Sequence, residues 1–207
     1  NDYYVVIADI STLVSRDIFS LKNEYKYKVI HTKIDICKKK SLDMLINKTL
    51  NKFKKIDAVI NCSYPKTKKY GKRLEDVQYG EFCKNMNIHL GGYFLVNQVF
   101  AKYFKKIKSG SVINFGSIYG TITPKFHIYD NTKIINSVEY AAIKAGIMHM
   151  NNFFSAYYKK YNIRFNIVSP GGVFNNHSNL FASKYKKYTG NVGMISPNDL
   201  MGVISLL

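Results

Sequence analysis

The chain has 207 residues, 46 % of them hydrophobic and 14 % aromatic, enough to bury one sizeable core as a single domain. No run approaches the ~20 continuous apolar residues of a membrane span and no basic-then-apolar leader opens the sequence. The cysteines Cys37, Cys62 and Cys83 lack a Cys-x-x-Cys spacing, so no membrane partner and a reducing cytoplasm are expected. The net charge of +18 raises nucleic-acid binding, but Arg16, Arg73 and Arg164 are the only arginines and the lysines are spread along the chain; a solvated lysine surface, with no nucleic-acid partner, is the expectation.

In chain order, the sequence alternates short apolar runs with helical periodicity. Strands are expected near 3–9, 29–35, 56–61, 110–116 and 163–169, and helices near 12–25, 39–54, 82–107, 138–161 and 197–207. The first strand ends in Asp9, the second near Asp35 and Ile36, the third at Asn61. Lys66 to Gln78 is polar, holds the larger of two local basic runs, and reads as a mobile loop. Gly110-Ser-Val-Ile-Asn-Phe-Gly116 reads as a buried strand ending in Ser117, with Gly120 closing the turn. Ile163-Arg-Phe-Asn-Ile-Val-Ser169 reads as the next strand and runs into Pro170-Gly171-Gly172-Val173. Strand, helix, strand in this order makes a βαβ unit, so the fold class is α/β. Its ligands lie at the carboxyl ends of parallel strands.

Three Tyr-x-x-x-Lys pairs occur: Tyr64/Lys68, Tyr129/Lys133 and Tyr140/Lys144. Pro65 disfavours a helix after Tyr64, and Asp130-Asn131-Thr132 is a turn sequence. After Tyr140 comes Ala-Ala-Ile-Lys-Ala-Gly-Ile-Met, which keeps helical spacing and puts phenol and ammonium on one face. A free phenol, with a pKa of about 10, needs a nearby cation before it exchanges protons at neutral pH. Ser117, Tyr140 and Lys144 would then meet at one edge of the sheet. His31, His127, His149 and His177 have no partner at metal-ligand spacing, and no metal is expected.

These motifs, in this order, resemble the short-chain dehydrogenase/reductase family. Asp57-Ala-Val-Ile-Asn61-Cys62-Ser63-Tyr64 resembles the family's fourth strand with its Asn-Asn-Ala-Gly motif, Gly116-Ser117-Ile118-Tyr119-Gly120 the serine motif, and Ser169-Pro170-Gly171-Gly172-Val173 the Pro-Gly motif. The resemblance implies a Rossmann-type doubly wound parallel sheet in three layers, α/β/α, spanning residues 1–207. It implies an NAD(P)-dependent oxidoreductase acting on a small-molecule alcohol, ketone or aldehyde, with Ser117, Tyr140 and Lys144 catalytic. It places Asp9, Asp35, Ile36, Asn61, Tyr140, Lys144, Pro170, Gly171 and Val173 at the cofactor. The acidic Asp9 favours NAD over NADP, though NADP stays open. A non-catalytic dinucleotide-binding scaffold on the same fold is the alternative.

Three departures from the family pattern stand out. The chain opens on the second strand, with no glycine-rich phosphate loop before it, and stops before a seventh; it reads as an internal fragment whose first strand belongs in the sheet centre. Counting back from Gly92-Tyr93-Phe94-Leu95-Val96-Asn97-Gln98, the family's catalytic asparagine falls on His89, while a kink would let Asn87 serve. The stretch between Ser117 and Tyr140 is long, and Tyr119, Phe126 and Tyr129 are candidates for the substrate pocket. That stretch resembles a bacterial subgroup associated with flagellin modification and sugar-precursor synthesis. Helices near 82–107 and 138–161 are those through which resembling proteins form homodimers and homotetramers.

Overall fold

The computed structural model describes residues 3–11, 20, 24, 25, 27–190 and 192–207. The helix expected near 12–25 lies almost wholly outside the described residues. Among the described residues there are five parallel strands: β1 (Val5–Asp9), β2 (Val29–Lys33), β3 (Ala58–Asn61), β4 (Gly110–Phe115) and β5 (Ile163–Val168). They fall into two sheets, β1-β2 and β3-β4-β5, and no ladder among the described residues joins β1 to β3. The break sits where the sequence reading expects one further central strand. Register is even throughout, with Asn61 opposite Asn114 and Asn114 opposite Ile167.

Helices α1 (Lys39–Phe53), α2 (Tyr79–Asn85), α3 (Gly91–Ile107), α4 (Val138–Tyr158), α5 (Asn179–Lys186) and α6 (Met201–Leu206) complete the elements that matter here. Each long helix is fixed by the stripe it buries. In α1 this is Leu42, Leu45, Ile46 and Thr49; in α3, Tyr93, Val96, Asn97, Phe100 and Phe104; in α4, Ile143, Lys144, Ile147, Asn151 and Phe154. Both sheets share one core, since Ile34, Ile36 and Leu42 pack in the same cluster as Val112, Phe154 and Phe165. At 25 cal/mol per Å² this burial is the main force holding the two sheets together.

The structure departs from the sequence reading in three places. The helix expected near 82–107 begins at Tyr79 and is interrupted by a π turn over Met86–Leu90. Helix α5 was not foreseen, because Asn179-Leu-Phe-Ala-Ser-Lys-Tyr-Lys is short and its apolar stripe is only Phe181 and Tyr185. The loop after β3, expected to be mobile, is pinned. Thr67 N donates to Asn85 Oδ1 at 2.9 Å, and Tyr70 packs beside the buried Tyr93, Ile143 and Ile147. No helix among the described residues is long and apolar enough to cross a membrane.

Candidate active site

Side chains converge at the carboxyl ends of β3, β4 and β5. A buried asparagine network sets the frame. Asn114 Nδ2 on β4 donates to Asn97 Oδ1 on α3 at 3.1 Å and to Asn151 Oδ1 on α4 at 3.0 Å, and Asn151 Nδ2 donates to Phe165 O on β5 at 3.2 Å. These three hydrogen bonds tie both long helices to the sheet, while Asn97 Nδ2 and Asn114 Oδ1 keep no partner. The turn after β4 then lies on α4 at very close range. A Cβ on Gly120 would stand 2.9 Å from the backbone carbon of Lys144, so only glycine fits there.

Ser117 and Tyr140 both come to this point. The Ser117 hydroxyl accepts from Tyr119 N at 3.2 Å, capping the turn, and it also acts on the Tyr140 phenol as a hydrogen-bonding partner. Ser137 caps α4 by accepting from Tyr140 N, which sets the start of the helix and hence the direction of the tyrosine. Lys144, one turn on, is only 4 % exposed and donates from Nζ to Phe115 O at 2.8 Å. Its ammonium lies 5.7 Å from the ring centroids of both Tyr93 and Tyr140 and 5.9 Å from that of Tyr64.

The electrostatics differ from the sequence expectation. Burial raises the Tyr140 phenol above its ordinary pKa of 10.0, with Ser117 opposing. Burial also pushes Lys144 down to about 8, because taking the ammonium out of water penalises its charged form, with Cys62 opposing. Tyr140 is therefore held in its protonated form in this arrangement.

The π turn sets Asn87 and His89 in different surroundings. One extra residue in the turn rotates His89 inward until it is fully buried, while Asn87 faces solvent. The His89 ring stands edge-on to Tyr64 at 5.0 Å and tilted to Tyr93 at 5.5 Å. Burial, with the Lys144 charge adding, pushes its pKa down to about 3, and neither ring nitrogen has a hydrogen-bond partner. The neutral imidazole thus carries one donor and one acceptor that no protein group satisfies.

Among the residues expected at a cofactor, Asp9 stands exposed at the end of β1, with Oδ1 accepting from Ser11 N at 2.7 Å. Asp35 Oδ1 accepts from Cys37 N at 2.9 Å, and its other oxygen pairs with Lys38. Ile36 does not reach outward; its side chain is in the main core, against which a Cβ on Gly92 would collide. Asn61 is buried, accepts from Ser63 N at 3.2 Å, and keeps Nδ2 without a partner. Pro170 O accepts from Ile118 N, and Gly172 N donates to Tyr185 Oη at 2.6 Å, so the segment holding Gly171 and Val173 is tied to both the serine turn and α5.

Of the pocket candidates, Tyr119 and Tyr129 meet: Tyr129 Oη donates to Tyr119 Oη at 3.0 Å and accepts from Asn136 Nδ2 at 3.0 Å. Phe126 is 62 % exposed and points away, while Ile128 takes the inward place. The sequence reading weighed Tyr64 only as the excluded Tyr64/Lys68 pair and as part of the strand motif, and it gave no site role to Tyr64, Tyr93 or Glu139. Tyr64 closes the third-strand motif that the reading had already marked, and position alone would have flagged it.

The sequence model of the family described as enoyl-(acyl carrier protein) reductase matches residues 1–192. The chain is 40 % identical over 159 residues to post-translational flagellin modification protein A of Campylobacter coli, covering 76 % of this chain and 62 % of that protein. It is 26 % identical over 167 residues to the NAD-dependent glycerol dehydrogenase of Listeria innocua, covering 81 % of this chain and 59 % of that protein. The chain therefore spans about three-fifths of the length of these curated relatives. A short chain dehydrogenase from Leptospira borgpetersenii, solved with bound NAD+, superposes with a TM-score of 0.76 at 26 % identity, covering 98 % of this chain and 85 % of that one. Levodione reductase superposes at 0.79 with 21 % identity, covering 98 % and 79 %, a likeness of fold. The chain belongs to the short-chain dehydrogenase/reductase family, and its fold is of the Rossmann type.

Proposed function

We propose that the protein is an NAD(P)-dependent oxidoreductase that interconverts an alcohol with a ketone or aldehyde. The observation that carries this reading is the convergence of Ser117, Tyr140 and Lys144 at one sheet edge. The residues present fit a dinucleotide. Asn61 Nδ2 and Ser169 Oγ are buried without partners at the ends of β3 and β5, and the exposed Asp9 carboxylate, whose Oδ1 accepts from Ser11 N, has further acceptor capacity for a ribose diol. The nicotinamide, when bound, supplies or accepts the hydride. Ser117 Oγ holds the reacting oxygen and favours charge developing there. Tyr140, protonated in this site, gives its proton to a carbonyl oxygen, so reduction needs no prior ionisation. Oxidation needs the phenolate, and Lys144 must turn from Phe115 O toward the phenol to stabilise it.

NAD is favoured over NADP, because the Asp9 carboxylate repels a 2′-phosphate. A sugar-derived substrate is supported by the likeness to the flagellin modification protein and by the hydroxyl array of Tyr119, Tyr129 and Asn136. A homodimer or homotetramer through α3 and α4 is supported by the exposed, stacked rings of Phe153 and Tyr157. Free Cys37, Cys62 and Cys83 suit a cytoplasmic location.

The test is turnover by the full-length protein. Tyr140→Phe removes one hydroxyl, so NAD binding should persist while kcat falls by roughly 10²–10⁴. Full activity in Tyr140→Phe, or loss of activity in Tyr129→Phe alone, would refute the assignment.

A further inference from the structure

The loop leaving β3 is both basic and fastened to the catalytic pocket. Tyr64 Oη and Tyr70 Oη share a 2.9 Å hydrogen bond, and Thr67 N is held by the buried Asn85. The Tyr64 ring is 44 % exposed and its centroid lies 6.1 Å from that of Tyr140. Two ammonium groups rest against this one ring, Lys144 Nζ at 5.9 Å and Lys66 Nζ at 5.6 Å. Lys66 therefore places a charge at the mouth of the site that holds the reactive phenol. Behind it follow Lys68, Lys69, Lys72 and Arg73.

Most lysine runs are merely solvated, and three observations set this one apart. Among the described residues, no carboxylate within ion-pair distance neutralises Lys66, Lys68 or Lys72. Glu81, whose field meets Lys69, already pairs with Lys84 at 3.1 Å, and Glu75 and Asp76 sit at the far end of the run, beside Lys72 and Arg73. Inside the pocket, the buried Glu139 is the one carboxylate whose field reaches Tyr64 and Tyr70, and it offsets at most one of the two ammoniums. A surplus of positive charge thus faces the entrance, where partial exclusion of water strengthens attraction to an anion.

We propose that the substrate of the Tyr140 site is an anion, carrying a carboxylate or phosphate beside the reacting carbonyl or carbinol, and that Lys66, backed by Lys68 and Lys69, binds it. The proposal deepens the oxidoreductase reading and rests on it for the reaction, but binding alone tests it. The full-length protein with NAD+ present is titrated calorimetrically with two matched pairs, acetoacetate against methyl acetoacetate and dihydroxyacetone phosphate against dihydroxyacetone. The first pair tests a carboxylate and the second a phosphate, with the ketone unchanged within each.

At least one anion should bind about threefold to tenfold more tightly than its neutral partner, the range expected for one to a few partly screened ion pairs. That preference should fall to near unity in Lys66→Gln/Lys68→Gln/Lys69→Gln and persist in Lys159→Gln/Lys160→Gln, which removes two lysines near the opposite end of the sheet. Equal affinity within both pairs, no binding of either anion, or a preference that survives the triple substitution overturns the proposal. Lys66-dependent anion binding in a protein that turns over neither ketone with NADH would uphold the anion site and count against the oxidoreductase reading instead.

Discussion

Replacing Lys144 by Met should flatten the pH dependence of stability. The ammonium is almost wholly buried, and burial takes its pKa from 10.5 to about 8. In the unfolded chain the lysine keeps its ordinary value. Below pH 8 both states are charged, and the folded state bears the whole cost of desolvating the ammonium. Between pH 8 and 10.5 the folded state has lost its proton while the unfolded state still holds one, so stability rises with pH. The difference between 10.5 and about 8 amounts to about 3 kcal/mol, of which about 2 kcal/mol is recovered between pH 7 and pH 9.5. The lost hydrogen bond to Phe115 O shifts the variant's stability by a pH-independent amount, so the slope is the readout. Both proteins should carry Cys62→Ser, because the Cys62 thiol and Lys144 act on each other. Urea denaturation of the full-length protein at pH 7, 8, 9 and 9.5 should show wild type gaining about 2 kcal/mol on the Met variant. Parallel stability curves would mean that Lys144 is solvated, and the site as described would be wrong.

Asn114→Ala leaves Asn97 Oδ1 and Asn151 Oδ1 without their donor and should cost about 2–4 kcal/mol in urea denaturation, with activity lost as the helices loosen. Gly120→Ala forces a Cβ against the Lys144 backbone and should destabilise the fold by about 1–3 kcal/mol while lowering kcat more than it raises KM. His89, held neutral with a pKa of about 3, should contribute no ionisation to the kcat/KM profile between pH 5 and 8; a limb near 6.5 that disappears in His89→Gln would contradict its burial. Asp9→Ala should raise kcat/KM with NADP relative to NAD, measured in the full-length enzyme, and an unchanged ratio would remove Asp9 from the ribose.

Elements with a strong local signal were legible in the sequence. Strands β4 and β5 and helices α1 and α4 carry periods of apolar residues that specify their type whatever surrounds them. The Tyr140-Lys144 pair could be chosen over Tyr64-Lys68 and Tyr129-Lys133 because proline and turn formers already exclude a helix at the other two. Ser117 followed from its place at a strand end. These are properties of neighbours in the chain, and covalent spacing conveys them.

Tertiary packing decided the rest. Nothing local marks Met86–Leu90 as a π turn, and whether His89 or Asn87 turned inward depended on that extra residue. Ile36 and Phe126 exchanged their expected roles with the core and the solvent because burial is settled by elements distant in sequence, α3 above Ile36 and α5 beside Ile128. The loop from Lys66 to Gln78 has the composition of a free segment. It is held by Asn85 and Tyr64, contacts that sequence separation hides. The pKa of Tyr140 turned on the same point. Spacing places an ammonium one turn away, but only the three-dimensional arrangement sends that ammonium to Phe115 O and buries the phenol.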